Sequence, residues 1–265
     1  MVNLETNKVI LEKQDGIGFI SLNDPENRNS LMAQTVLELN ACLDNCAYDS
    51  NIRVIVLRGK GEFFSAGGNV KSMLERVDAG TADYRPGIRN LGLTFGKLRE
   101  IRKPVIASMQ GAAAGGGLNL ALGCDFRIAA ADTKFVFAFV NIGLIPDCGG
   151  ALPLVNMVGV ARATELLMLG RIFSAQDAHE WGLLNEVVPA DNLEAATLKL
   201  ATKLANGPTI SYGCIKAMIN RNVYDRMSLE IDEETQCQNL CSKTADHREG
   251  IMAFVEKRKP TFIGR

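Results

Sequence analysis

Histidine, tryptophan and any excess of charge are what this sequence has least of. In 265 residues there are two histidines, one tryptophan and 6 % aromatic positions, and 29 basic side chains stand against 30 acidic ones. A net charge of −1 with both signs interspersed provides no basic face for a phosphate backbone, so no nucleic-acid partner is expected. His179 and His247 are too few to complete a zinc site with thiols, and no cysteine pair has CxxC spacing, so no metal is expected. The seven cysteines, Cys42, Cys46, Cys124, Cys148, Cys214, Cys237 and Cys241, are odd in number and read as reduced, buried thiols of a cytoplasmic protein. Long apolar runs are also missing. The most lipid-like window, 106–123, holds Gln110, Asn119 and three consecutive glycines, and no membrane span is expected. Residues 1–16 lack a basic stretch followed by an apolar run and do not read as an export signal.

What is present is an ordinary globular composition, 47 % hydrophobic and 22 % charged, long enough to bury a core without disulfides. Apolar runs from Val9 to Leu22 flank Asp15-Gly16, which predicts a β-hairpin. Val36, Leu39, Leu43 and Cys46 recur at steps of three and four, predicting an amphipathic helix from near Ser30. Val54–Leu57, Val105–Met109, Phe126–Ala129 and Phe135–Phe139 read as strands, and Leu118–Leu122 as a helix. Residues 71–87 carry turn formers that break a helix and mark a mobile stretch. After Pro189 the pattern is helical: 193–205, 209–219, 227–240 and 244–258. These alternations predict an α/β core over residues 1–199 and a helical region over 200–265.

Two glycine-rich stretches follow buried strands. Ala66-Gly67-Gly68-Asn69 lets the backbone approach a ligand, with the Gly68 N–H unobstructed, although glycine pairs after strands are commonly plain turns. Gly111 to Leu120, with Gly115-Gly116-Gly117 at a helix start, provides free N–H groups at the positive end of a dipole. It matches neither a P-loop nor a dinucleotide fingerprint, so nucleotide phosphates are not the natural ligand. Two separate backbone donors aimed at one carbonyl oxygen would stabilise an enolate.

With these stretches, the segments Arg28-Asn29-Ser30-Leu31, Gln110–Gly117, Gly143–Gly150 and Glu249–Pro260 make the chain resemble the crotonase, or enoyl-CoA hydratase/isomerase, superfamily over essentially its whole length. The resemblance implies a spiral of ββα units with a C-terminal helical trimerisation region, assembled as a homotrimer or a dimer of trimers. It implies an acyl-CoA thioester whose carbonyl oxygen lies between the N–H groups of Gly68 and Gly116, with Ala66 near the adenine and Arg28 near the phosphates. Lys257, in a charged run that otherwise reads as a solvated face, is implied as a phosphate contact from a neighbouring subunit. Coenzyme A then enters as part of the substrate and no separate cofactor is expected.

Hydratases of this superfamily use two glutamates, whose positions here are held by Asn119 and Phe139, and neither can act as a general base. The motif carboxylate is Asp147, and aspartate there with asparagine at 119 is similar to the ring-opened phenylacetyl-CoA isomerase-like branch. Pro-Asp-x-Gly is also a common turn, so Asp147 reads as either turn residue or base. Asn119 is open to three roles: contacting substrate, orienting Asp147 or holding the helix start. Phe139 is expected to line an apolar wall, Phe254 to be core or else an acyl-CoA pocket contact, and Glu62 and Asp83 to be solvated fallback acids. The implied activity is double-bond migration in an enoyl-CoA by Asp147-mediated proton transfer. A hydratase and a non-catalytic acyl-CoA-binding homologue are the alternatives.

Overall fold

The computed structural model describes residues 7–265, so the first six residues of the N-terminal reading lie outside it. Val9–Gln14 (β1) and Ile17–Leu22 (β2) form the expected hairpin, with Asp15 and Gly16 at φ 51° and 80°. Positive φ at both turn residues matches the twist of the flanking strands. Next come Ala33–Tyr48 (α1), Val54–Gly59 (β3), Val70–Asp78 (α2), Arg85–Glu100 (α3), Val105–Met109 (β4), Ala112–Ala114 (β5) and Gly116–Leu122 (α4). Phe126–Ala130 (β6), Lys134–Val136 (β7), Ala151–Leu169 (α5), Phe173–Ser174 (β8), Ala175–Glu180 (α6) and Glu186–Val188 (β9) follow. Leu193–Ala205 (α7), Thr209–Val223 (α8), Met227–Cys241 (α9) and Ala245–Val255 (α10) complete the order.

The larger sheet runs β1-β2-β3-β4-β6-β9, antiparallel only between β1 and β2, and the smaller runs β5-β7-β8. Two strands and then a helix recur as β1-β2-α1, β4-β5-α4 and β6-β7-α5, which is the crotonase-like spiral of ββα units. β3 reads Val54-Ile55-Val56-Leu57 without polar alternation because both its faces are covered. Ile55 and Leu57 pack in one core with Leu39, Leu43 and Cys46, while Val54 and Val56 pack in a second with Leu193, Ala201 and Leu204. Each fully buried aliphatic side chain of this kind contributes about 1.5–3 kcal/mol.

The structure changes several expectations. α1 starts at Ala33 rather than Ser30. The strand expected over Phe135–Phe139 ends at Val136, and Ala138–Ile142 coils into a 3-10 turn. The boundary expected between 199 and 200 falls inside α7, whose apolar face packs under the large sheet as part of the second core. The thiols are not all buried: Cys214 is exposed, and Cys42, Cys237 and Cys241 are partly so. Phe254 is 60 % exposed rather than core. The lipid-like window 106–123 folds as β4, β5 and α4, whereas among the described residues the helix apolar and long enough to span a bilayer is α5. Gly159, at φ 75° and ψ 165°, breaks α5 into pieces shorter than the roughly 20 residues a span needs.

Candidate active site

β3 and β4 run parallel, so both release their glycine-rich segments at the same edge of the sheet. Such carboxyl edges are where open parallel sheets leave room for ligands. Ser65 bridges to Ala113, and the Ala114 N–H donates to the Ser65 carbonyl at 2.9 Å. The Ser65 hydroxyl donates to the Asn29 carbonyl at 2.8 Å and accepts the Gly67 N–H at 3.2 Å. The Ala66 N–H donates to the Arg28 carbonyl at 2.9 Å, and the Leu31 N–H to the Gly67 carbonyl at 2.8 Å. Segments 28–31, 65–67 and 112–116 are therefore one hydrogen-bonded unit, which brings Arg28, Ala66, Gly68 and Gly116 together.

Glycine is required at two points of this unit. Gly67 sits at φ 76°, and a Cβ there would stand 2.6 Å from the Ala114 carbonyl oxygen and 3.0 Å from the Gly116 nitrogen. Gly115, at φ 50° and ψ −126°, lies outside the regions open to L-residues and turns the chain from β5 into α4. The Gly116 N–H then heads a helix with no turn before it to supply an acceptor. Among the described residues neither the Gly68 nor the Gly116 N–H donates to another group of the chain. Both remain free for a ligand oxygen.

Asp147 is partly buried on the turn before α5. A Cβ on Gly116 would lie 3.8 Å from Asp147 Oδ1, 3.3 Å from Cys148 Sγ and 3.5 Å from Leu31 Cδ1, so the acid stands close to the residue that bears one free N–H. The Cys148 thiol donates to Asp147 Oδ1 at 2.8 Å, and Gln238 Nε2 of α9 donates to Oδ2 at 3.2 Å. Burial pushes the Asp147 carboxyl above the ordinary carboxylate range, and those two donors oppose the rise only in part. Burial and the neighbouring Asp147 charge push the Cys148 thiol up as well, so it stays protonated and able to donate. Cys148 holds φ 61°, an uncommon conformation for a non-glycine residue and one that recurs at functional sites.

Asn119 is fully buried in α4, and its Nδ2 donates to the Asp147 main-chain carbonyl at 2.7 Å. That bond ties α4 to the turn carrying Asp147. Gly150 has no side chain because a Cβ there would run into the Asn119 amide. Phe139 is 8 % exposed and brings its Cζ within 3.7 Å of a Cβ position on Gly115, forming an apolar wall beside the glycines. The Arg28 guanidinium is exposed and stacks over Phe63, 5.4 Å from the ring centroid. Lys257 is exposed just past α10, and no described contact joins it to the glycine segments. Glu62 is exposed, and Asp83 is held by Arg85, which keeps its carboxyl down at about 2.

Four contributors were not foreseen: Met73 of α2, whose Cε lies 2.5 Å from a Cβ position on Gly68, together with Cys148, Glu234 and Gln238. Glu234 Oε2 accepts the Gly149 N–H at 2.8 Å, and Gln238 Oε1 accepts the Ile145 N–H at 2.9 Å. No spacing in the sequence ties α9 to the Gly143–Gly150 motif; only Cys148, inside the motif, could have been weighed from its position.

The family model described as enoyl-CoA hydratase/isomerase matches residues 12–265. The chain belongs to the enoyl-CoA hydratase/isomerase family, within the crotonase superfamily. A relative named 1,2-epoxyphenylacetyl-CoA isomerase, from Escherichia coli, is 38 % identical over 97 % of this chain and 98 % of its own. A trans-2-decenoyl-[acyl-carrier-protein] isomerase of Streptococcus mutans is 33 % identical over 99 % of this chain and all of its own. The crystal structure of an enoyl-CoA hydratase from Mycobacterium avium subsp. paratuberculosis superposes with a TM-score of 0.88 at 28 % identity, covering 97 % of this chain and 98 % of that one. The enoyl-CoA hydratase/isomerase family thus accounts for the fold, while its named members divide between the two reactions.

Proposed function

We propose that this family member shifts a double bond in an enoyl-CoA, with the Gly68 and Gly116 N–H groups stabilising the thioester enolate and Asp147 moving the proton. The observation that carries this reading is the side chain 3.8 Å from a Cβ position on Gly116: it is an acid, Asp147, while Asn119 is occupied in holding the backbone behind it. In the isomerisation Asp147 Oδ takes a proton from the carbon next to the unsaturation. Electron density moves to the thioester oxygen, where two N–H donors meet it, and the proton returns to the other end of the allylic system. One base serves both carbons, and no water is consumed. A carboxyl raised by burial matches this task better than an ordinary one, because its conjugate acid gives the proton back at a pH nearer neutrality.

Arg28 and the backbone at Ala66 are the proposed contacts for the CoA moiety, with Lys257 contributed by a neighbouring subunit. Val160, Met168 and Leu169 on α5 and Met218 on α8 are exposed apolar side chains that fit self-association into a trimer or a dimer of trimers. A panel of 2-enoyl and 3-enoyl CoA esters tests the reaction: interconversion of positional isomers is expected, and Asp147→Ala should abolish it. Full isomerase turnover by Asp147→Ala would refute the assignment of the base. Hydration is the second reading, favoured by the hydratase of known structure that shares this fold at 28 % identity. Rapid water addition to crotonyl-CoA without isomerisation would establish it.

A further inference from the structure

Asp147 is not the only acid on its turn. Glu234 of α9 is 5 % exposed, and its Oε2 accepts the N–H of Gly149, two residues beyond Asp147. One helical turn later Gln238 accepts the Ile145 N–H and donates to Asp147 Oδ2. α9 therefore grips the 145–149 turn at both ends and touches the carboxylate between them. We propose that Glu234 is a positioning residue for Asp147: it holds the turn that carries the base, and, as a second buried acid, it must stay uncharged for the site to work. The proposal rests on the reading of Asp147 as the base.

The surroundings of Glu234 favour the neutral acid. Among the described residues its Oε1 is buried and makes no hydrogen bond of good geometry, a costly arrangement for an ionised carboxylate. The charges that act on it are Asp147 from the turn and Glu230 from its own helix, and Cys148 faces it as a neutral thiol. α3 packs on α9, with Gly92 against Ile231, but its cations are engaged or turned away. Arg85 pairs with Asp83, Lys97 with Asp44 and Arg99 with Asp125, while Arg89 and Glu100 are exposed. Burial first, with the Asp147 charge adding to it, pushes the Glu234 carboxyl up to about 8 against the lowering pull of the Gly149 and Ala151 N–H groups. Above that pH the pair carries two negative charges beside a reaction that builds a third on the thioester oxygen.

The test is a titration of the full-length protein carrying 13C-carboxyl glutamate, with Glu234→Gln assigning the signal by its loss and Glu234→Ala doing so if the glutamine variant does not fold. The expected midpoint for Glu234 is near 8, and Asp147→Asn should move it down, because that change removes the neighbouring charge. In turnover assays the wild type should lose kcat as pH rises through the same value, and Glu234→Gln should lack that alkaline step. A Glu234 midpoint in the ordinary range of about 4.3, or one unmoved by Asp147→Asn, overturns the proposal. An alkaline step that persists in Glu234→Gln does the same. If Asp147→Asn turns substrate over at the wild-type rate, the assignment of the base fails, and the titration still decides whether the two acids are coupled.

Discussion

Asn119→Ala separates positioning from stability at this site. The substitution removes the 2.7 Å hydrogen bond to the Asp147 carbonyl, worth about 1 kcal/mol net. That carbonyl still accepts the Gly150 N–H at 3.1 Å, so it is not orphaned. The same substitution deletes Asn119 Oδ1, a buried acceptor with no partner, whose desolvation costs about 1–3 kcal/mol. A few buried atoms are lost, and the space they leave costs of the order of 1 kcal/mol. The terms nearly cancel, so the net change in folding stability should stay within about 1 kcal/mol, a shift in Tm of about 2–4 °C for a chain of this size. With Asp147 as the proposed base, catalysis has no such compensation. With the carbonyl released, the Asp147 turn can drift, and a displacement of about 1 Å from the reacting carbon costs about 100-fold in rate. The expected result is a kcat lowered about 10- to 100-fold on an enoyl-CoA substrate with Tm almost unchanged, read by steady-state kinetics and thermal melting. An unaltered kcat, or a fall in kcat explained by the unfolded fraction, would refute this account of Asn119.

Two further outcomes follow from the geometry. Gly67→Ala places a methyl group 2.6 Å from the Ala114 carbonyl oxygen at a φ of 76°, so it should cost about 1–3 kcal/mol in denaturant unfolding and depress kcat by moving the Gly68 N–H. His247 is fully buried and neutral, donating from Nδ1 to the Ile142 carbonyl at 2.7 Å and accepting the Tyr84 hydroxyl on Nε2 at 2.9 Å. Burial holds its imidazole below the ordinary value of about 6.5, so as pH falls below that value the unfolded chain takes up a proton that the folded chain refuses. The His247 contribution to stability is thus complete above about pH 7 and shrinks as the solution is acidified. Urea midpoints at pH 7.5 and 5.5 should differ more in the wild type than in His247→Asn.

The buried strands were readable because parallel strands covered on both faces become runs such as Val54-Ile55-Val56-Leu57, and α1 because one stripe of it is buried while the rest meets solvent. α5 was not readable: Pro153 and Gly159 look like breakers, and exposed Val160, Met168 and Leu169 erase its periodicity. Phe135–Phe139 looks like a strand because its apolar residues are contiguous, but the Leu144 N–H returns to the Phe139 carbonyl and fixes a turn there. The glycine segments and Asp147 were legible from their motifs, since close backbone approach restricts residue type locally. Glu234 was not. It stands in a helix that also carries Glu230, Asp232 and Glu233, and only the packing of α9 against a turn more than eighty residues earlier turns it inward.

The Ile142–His247–Tyr84 chain has a consequence for how this scaffold can diversify. Tyr84 closes the stretch after α2, and Ile142 precedes the loop that bears the acid, so the imidazole pins two regions with opposite demands. Insertions or exchanges ahead of Tyr84 can therefore reshape the surface after α2 while the far side of the pin keeps its place. A scaffold pinned in this way can vary one flank while the other stays put.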